Sequence, residues 1–78
     1  MNYFSVKVFK NGRPEPDIEV SGGANHGWHA FGTDEYTTDD EGIATIEWST
    51  DTYLDTIYIE GTAYRGEFYD GGRKRIDI

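Results

Sequence analysis

The chain contains no cysteine. That excludes disulfides, thiol nucleophiles and cysteine-held zinc, without assigning a redox compartment. Proline is scarce, with only Pro14 and Pro16. Positive charge is missing from the whole middle of the chain, where no Lys or Arg occurs between Pro14 and Tyr64. An acidic segment of that length repels nucleic-acid phosphates and anionic lipid, so neither is an expected partner there. No apolar run is long enough to span a membrane. The opening residues, Met1 to Val8, alternate and lack the basic start and apolar core of a signal peptide. The expectation is a soluble, cytoplasmic protein. Internal repeats, linkers and low-complexity tracts are also missing.

What is present is one domain's worth of chain, 78 residues with a formal net charge of −8. A domain of this size buries only roughly 60–65% of its unfolded surface, so its stability margin is thin. Twelve acids, from Glu15 to Glu60, fill the base-free segment. The cations sit at the two ends: Lys7, Lys10 and Arg13, then Arg65, Arg73, Lys74 and Arg75. Solubility explains such a layout, and an acidic face for a cation or a basic protein is the sharper alternative.

Period two dominates the apolar pattern. Phe4, Val6 and Val8 alternate with Ser5 and Lys7, and Ala44, Ile46 and Trp48 alternate with Thr45 and Glu47. Ile18 and Val20, Ile57 and Ile59, and Ile76 and Ile78 follow the same rule. Alternation of this kind marks strands with one buried and one wet face. Turn residues separate the runs: Asn11-Gly12, Ser21 to Asn25, Asp39 to Gly42 and Asp70 to Gly72. The predicted strands are 3–10, 17–21, 27–32, 35–38, 43–49, 56–61, 63–69 and 73–78. The expected fold is all-β, a seven- to eight-stranded, mostly antiparallel two-sheet sandwich over residues 1–78. Its predicted core is Phe4, Val6, Val8, Ile18, Val20, Ala44, Ile46, Trp48, Ile57 and Ile59.

Three segments together resemble carboxypeptidase regulatory-like domains. Lys10 to Val20 is similar to their opening, a strand, a Gly turn, a Pro-containing stretch and an alternating strand. Thr38-Asp39-Asp40-Glu41-Gly42-Ile43-Ala44-Thr45-Ile46 is similar to their Thr-Asp turn, which ends in Gly before a strand. Tyr53 to Gly61 is similar to the third hallmark. The resemblance implies a transthyretin-like sandwich whose first and last strands are neighbours, and a docking, folding or structural role. The stretch from Ser21 to Thr37 is longer than that pattern requires. Tyr64-Arg65-Gly66 also resembles the terminal motif of the transthyretin-like hydrolase of hydroxyisourate, an enzyme of a small anionic heterocycle. In that family the motif ends the chain, whereas Glu67 follows here, and no His precedes His26.

Candidate chemistry is sparse. His26-Gly27-Trp28-His29 holds both histidines. Two imidazoles with Asp34 or Glu35 nearby could bind zinc, copper or nickel, but a spacing of three on a strand points the rings to opposite faces. Exposed histidines flanking a Trp are favoured over a metal site. The acids Asp34, Glu35 and Asp39 to Glu41 suit calcium in type but not in EF-hand spacing, and Asp also favours turns. No serine has an activating motif around it. The expected function is therefore a non-catalytic binding or accessory module, with no metal or other cofactor. His26, Trp28, His29 and Tyr36 are the candidate contact residues for a protein or small ligand. The alternatives are the hydrolase, with His26 or His29 as base and Arg65 holding an anion, and a carbohydrate-binding module in which an exposed aromatic stacks on a sugar. A purely structural, self-associating unit is a further class. The charge layout predicts a monomer at physiological salt.

Overall fold

The computed structural model describes residues 1–26 and 30–78. The alternating runs become strands with one buried face, although Ile78, which continues the last run, lies beyond β9 and is exposed. The first strand, β1 (Asn2–Lys10), is the longest. It turns at Asn11-Gly12 into the short β2 (Arg13–Pro14). Both turn residues have positive φ, 54° and 77°, the backbone that a two-residue hairpin requires and that Asn and Gly tolerate. β6 (Ile43–Trp48) pairs antiparallel with β1, and β9 (Arg73–Asp77) pairs with it in parallel. β1 is thus the centre of one sheet, with β9 on one side and β6 on the other. The expected neighbourhood of the first and last strands is present.

The second sheet is built on β3 (Glu19–Ala24) and β7 (Leu54–Ile59). β8 (Thr62–Phe68) lies outside β7, while β4 (Phe31–Gly32) and β5 (Tyr36–Thr37) pair with successive parts of β3. Nine strands in two mostly antiparallel sheets form an all-β sandwich among the described residues, one or two more than predicted. The addition is β2, whose Pro14 can pair only because it lies on an edge.

The two inner faces close on one core. Phe4, Val6, Val8, Ala44, Ile46, Trp48 and Ile76 come from the β1 sheet, and Val20, Leu54, Ile57, Ile59 and Phe68 from the β3 sheet. Every predicted core residue is buried except Ile18, which is half-buried against the cluster. Ile46 and Ile57 are fully enclosed, which fixes the register of their strands.

The structure corrects the reading of Ser21 to Asn25 as a loop. Ser21, Gly22, Gly23 and Ala24 continue β3, and the two glycines are small because their neighbours crowd them. A Cβ on Gly22 would lie 2.6 Å from a methyl of the buried Leu54, and one on Gly23 would lie 3.3 Å from the Tyr58 ring. The predicted strand 27–32 is described only in its last residues, where Phe31–Gly32 form β4.

Hydrogen bonds from side chains fasten the crossings between strands. Thr38 is buried; its hydroxyl donates to the Glu15 carbonyl at 2.7 Å and accepts from the Ile18 N–H at 2.9 Å. The next residue, Asp39, accepts the N–H groups of Glu41 and Ile43 on one carboxylate oxygen. Gly42 closes that turn with φ 76°, and a Cβ there would lie 2.6 Å from the Val8 carbonyl oxygen. The Thr-Asp-to-Gly pattern thus has a local physical cause.

Candidate binding surface at the loop end

Strand directions bring three connections to one end of the sandwich. β3 finishes there at Ala24, β6 at Trp48 and β8 at Phe68, while β7 and β9 begin there. The described residues of these connections are 25–26 and 30, 49–53 and 69–72, and two of the connections carry an aromatic residue immediately beside a strand end, Tyr53 and Tyr69.

His26 is clipped to this end. Its ring stacks on Tyr53 with centroids 4.1 Å apart and planes inclined by 19°. Its Nε2 lies 3.0 Å from the Tyr53 carbonyl and 3.2 Å from the Thr52 hydroxyl. As an N–H, Nε2 donates to that carbonyl. The Thr52 carbonyl in turn accepts the Trp48 indole N–H at 2.8 Å, tying the connection to the core. On the other side of Tyr53 lies the Tyr69 ring, 5.1 Å away and tilted by 38°. Three rings therefore run in a row across the end, and Tyr69 is 53% exposed.

Charged groups surround the row. The Asp55 carboxylate accepts the Asn25 N–H at 2.7 Å and the Thr56 hydroxyl at 2.9 Å. Burial opposes its charge, but these bonds, with the nearby His26 and Arg65, hold the carboxyl below the ordinary aspartate range. The Tyr69 hydroxyl donates to the Glu67 carboxylate, which raises the phenol's pKa, since ionisation would lose the bond and set two anions together. A shallow pocket beside the rings is lined by Asn2, Trp48, Asp51, Tyr53, Tyr69 and Asp70.

Of the residues singled out from sequence, His26 belongs to this end. Trp28 and His29 lie outside the described residues. Tyr36 is elsewhere: it pairs with Val20 at the start of β3, whereas His26 follows the end of that strand. The Tyr36 ring packs against the core, and its hydroxyl reaches the Glu47 carbonyl of the facing sheet at 3.5 Å. Sequence reasoning missed Tyr53 and Tyr69 as partners of His26. Their only signal is position, an aromatic at the border between a polar turn and a strand.

His26 and Arg65, the pair invoked for a hydrolase, both lie near the Asp55 carboxylate. The groove lined by Arg65 lies between β8 and β9 and holds no histidine among its described residues. Among the described residues no helix is long and apolar enough to cross a membrane. No family model matches the chain, and no curated protein is significantly similar to it.

Proposed function

We propose that the protein is a non-catalytic binding module whose contact surface is the loop end of the sandwich, centred on His26, Tyr53 and Tyr69. A regulatory-like accessory role in the cytoplasm, of the kind the Thr38 to Ile46 segment resembles, fits this reading. The observation that carries it is the row of three rings, pinned from below by Trp48 and Thr52 and open on its outer side at Tyr69. Aromatic groups held rigid beside polar ones are good contact material, because they present area at little cost in entropy. The Nε2 of His26 is committed to backbone and hydroxyl neighbours, which suits a positioning role better than proton transfer.

A carbohydrate ligand is the second reading. Tyr58 stands 40% exposed on the outer face of the β3 sheet, over Gly23 and in one cleft with Asn25, Gly32 and Asp55. A ring with small residues around it and a carboxylate beside it can stack on a sugar and accept its hydroxyls.

The experiment is affinity capture from native cell extract on immobilised protein, comparing wild type with Tyr69→Ala, Tyr58→Ala and Thr45→Ala. Loss of the captured species with Tyr69→Ala alone is the expected result. Loss with Tyr58→Ala alone supports the sugar cleft. Equal capture by all four overturns both.

A further inference from the structure

The β9 edge departs from the acidic character of the rest of the chain. Among the described residues β9 pairs only with β1. The Ser5 N–H donates to the Gly72 carbonyl and the Ile78 N–H to the Phe9 carbonyl, so even-numbered residues turn their backbone groups toward β1. By the alternation of a strand, Arg73, Arg75 and Asp77 turn theirs to the open edge. Two grooves flank that edge. The one on the outer face is lined by Lys7, Ile43, Arg73, Lys74 and Arg75 among others, and no acid contributes to it. The one on the β8 side is lined by Arg65, Arg73 and Lys74 over Phe4 and Phe68. Its one acid is Glu67, which the Tyr69 hydroxyl already engages. Among the described residues the only ion pair is Arg75 with Asp77, at 3.0 Å. Arg65, Arg73 and Lys74 are thus left without an intramolecular carboxylate within ion-pairing distance.

We propose that the open edge of β9 captures an extended acidic segment of a partner protein by strand addition. The edge supplies unpaired backbone donors and acceptors, which make main-chain affinity independent of side chains. Specificity comes from charge on both faces. Residues on one face of a strand recur roughly every 7 Å, so alternate carboxylates of an added strand meet Arg73 and Arg75 as cross-strand pairs. The intervening side chains point over the other groove, toward Lys74 and Arg65. The fitting segment is therefore acidic at consecutive positions, not amphipathic. A nucleic acid would meet the same cations but could not complete the ladder, and the net charge of −8 repels it at long range. The β8-side groove touches the ring row at Tyr69, but the backbone groups of Arg73, Arg75 and Asp77 lie outside that row, so slowed exchange at the edge and capture through Tyr69 are read separately.

The test uses the full chain and a synthetic peptide of about six residues containing only Glu and Thr. Binding and amide hydrogen exchange are followed together by NMR. Addition of the peptide is expected to slow exchange at Arg73, Arg75 and Asp77. The Arg73→Glu variant is expected to bind about tenfold more weakly, and a Lys-for-Glu peptide not at all. Arg73 is exposed, so its replacement leaves the core intact; if melting nevertheless changes, Arg73→Gln is read instead, with a smaller loss. Absence of binding, binding unchanged in the variant, or shifts without slowed exchange overturn the proposal. The last outcome, also expected of inorganic tripolyphosphate, would mean simple anion attraction without a strand.

Discussion

The guanidinium of Arg75 lies 3.7 Å from the centre of the Phe9 ring, across the parallel pairing that joins the last strand to the first. Lys7, directly opposite Arg75 in the register, approaches the same ring at 5.4 Å. Two cations therefore approach one aromatic ring, and Asp77 hydrogen-bonds Arg75. This arrangement tolerates a line of positive charge on the outer face of the β1 sheet. We expect Phe9→Ala to destabilise the fold by about 1–2 kcal/mol through lost apolar and cation–π contact. Urea unfolding measures it, and faster amide exchange in β9 than elsewhere should accompany it.

The buried hydroxyl of Thr38 serves two backbone groups, so removing it strands both. Thr38→Val keeps shape and volume, yet should cost about 1–3 kcal/mol, since the Ile18 N–H and Glu15 carbonyl lose a partner. Thermal melting of the variant, with Thr37→Val as an exposed control, decides whether that hydroxyl matters.

The alternating runs made most of the fold legible. Phe4, Val6 and Val8, or Ala44, Ile46 and Trp48, admit only one register because a slip by one residue would expose the whole set. The second half of β3 was illegible because Gly22 and Gly23 are chosen by what packs on them, Leu54 and Tyr58, and those come from a strand far along the chain. Leu54 itself was missed because a register irregularity in the β7–β8 pairing breaks the alternation between it and Ile57. The loop end was legible only at His26. Its ring partners sit 27 residues away at Tyr53, and further still at Tyr69, and no local pattern announces a contact between connections.

The β7–β8 hairpin turns on Glu60-Gly61, both with positive φ, 49° and 82°. Glutamate is a poor occupant of that backbone, and Asn is a good one, as Asn11 shows in the other hairpin. Glu60→Asn should therefore stabilise the domain by about 0.5–1 kcal/mol. A lower midpoint in urea for this variant would contradict the turn assignment.

Acid crowding has a pH signature. The Glu19 carboxylate, by hydrogen bond and by repulsion, raises the pKa of Glu35 above the usual glutamate value. A carboxyl raised in the folded state favours folding below its ordinary pKa and loses that contribution as pH rises through the folded value. Glu35→Gln should thus raise the melting temperature near neutral pH and change little in acid, where the wild-type carboxyl is already protonated. Asp55 has the opposite sign: its lowered pKa contributes stability above the ordinary aspartate range, and that contribution is lost as pH falls. Melting curves of Glu35→Gln and Asp55→Asn across a pH series should diverge accordingly.

The loop end is the contact surface we propose for the binding module. Photo-crosslinking in the native cell tests it most directly, with benzoylphenylalanine in place of Tyr69, or in place of Thr45 on the outer face of the β1 sheet. Intact mass then reports adducts with a protein or a small ligand alike. A discrete adduct is expected from position 69 and none from position 45. An adduct from position 45 with none from position 69 would contradict it.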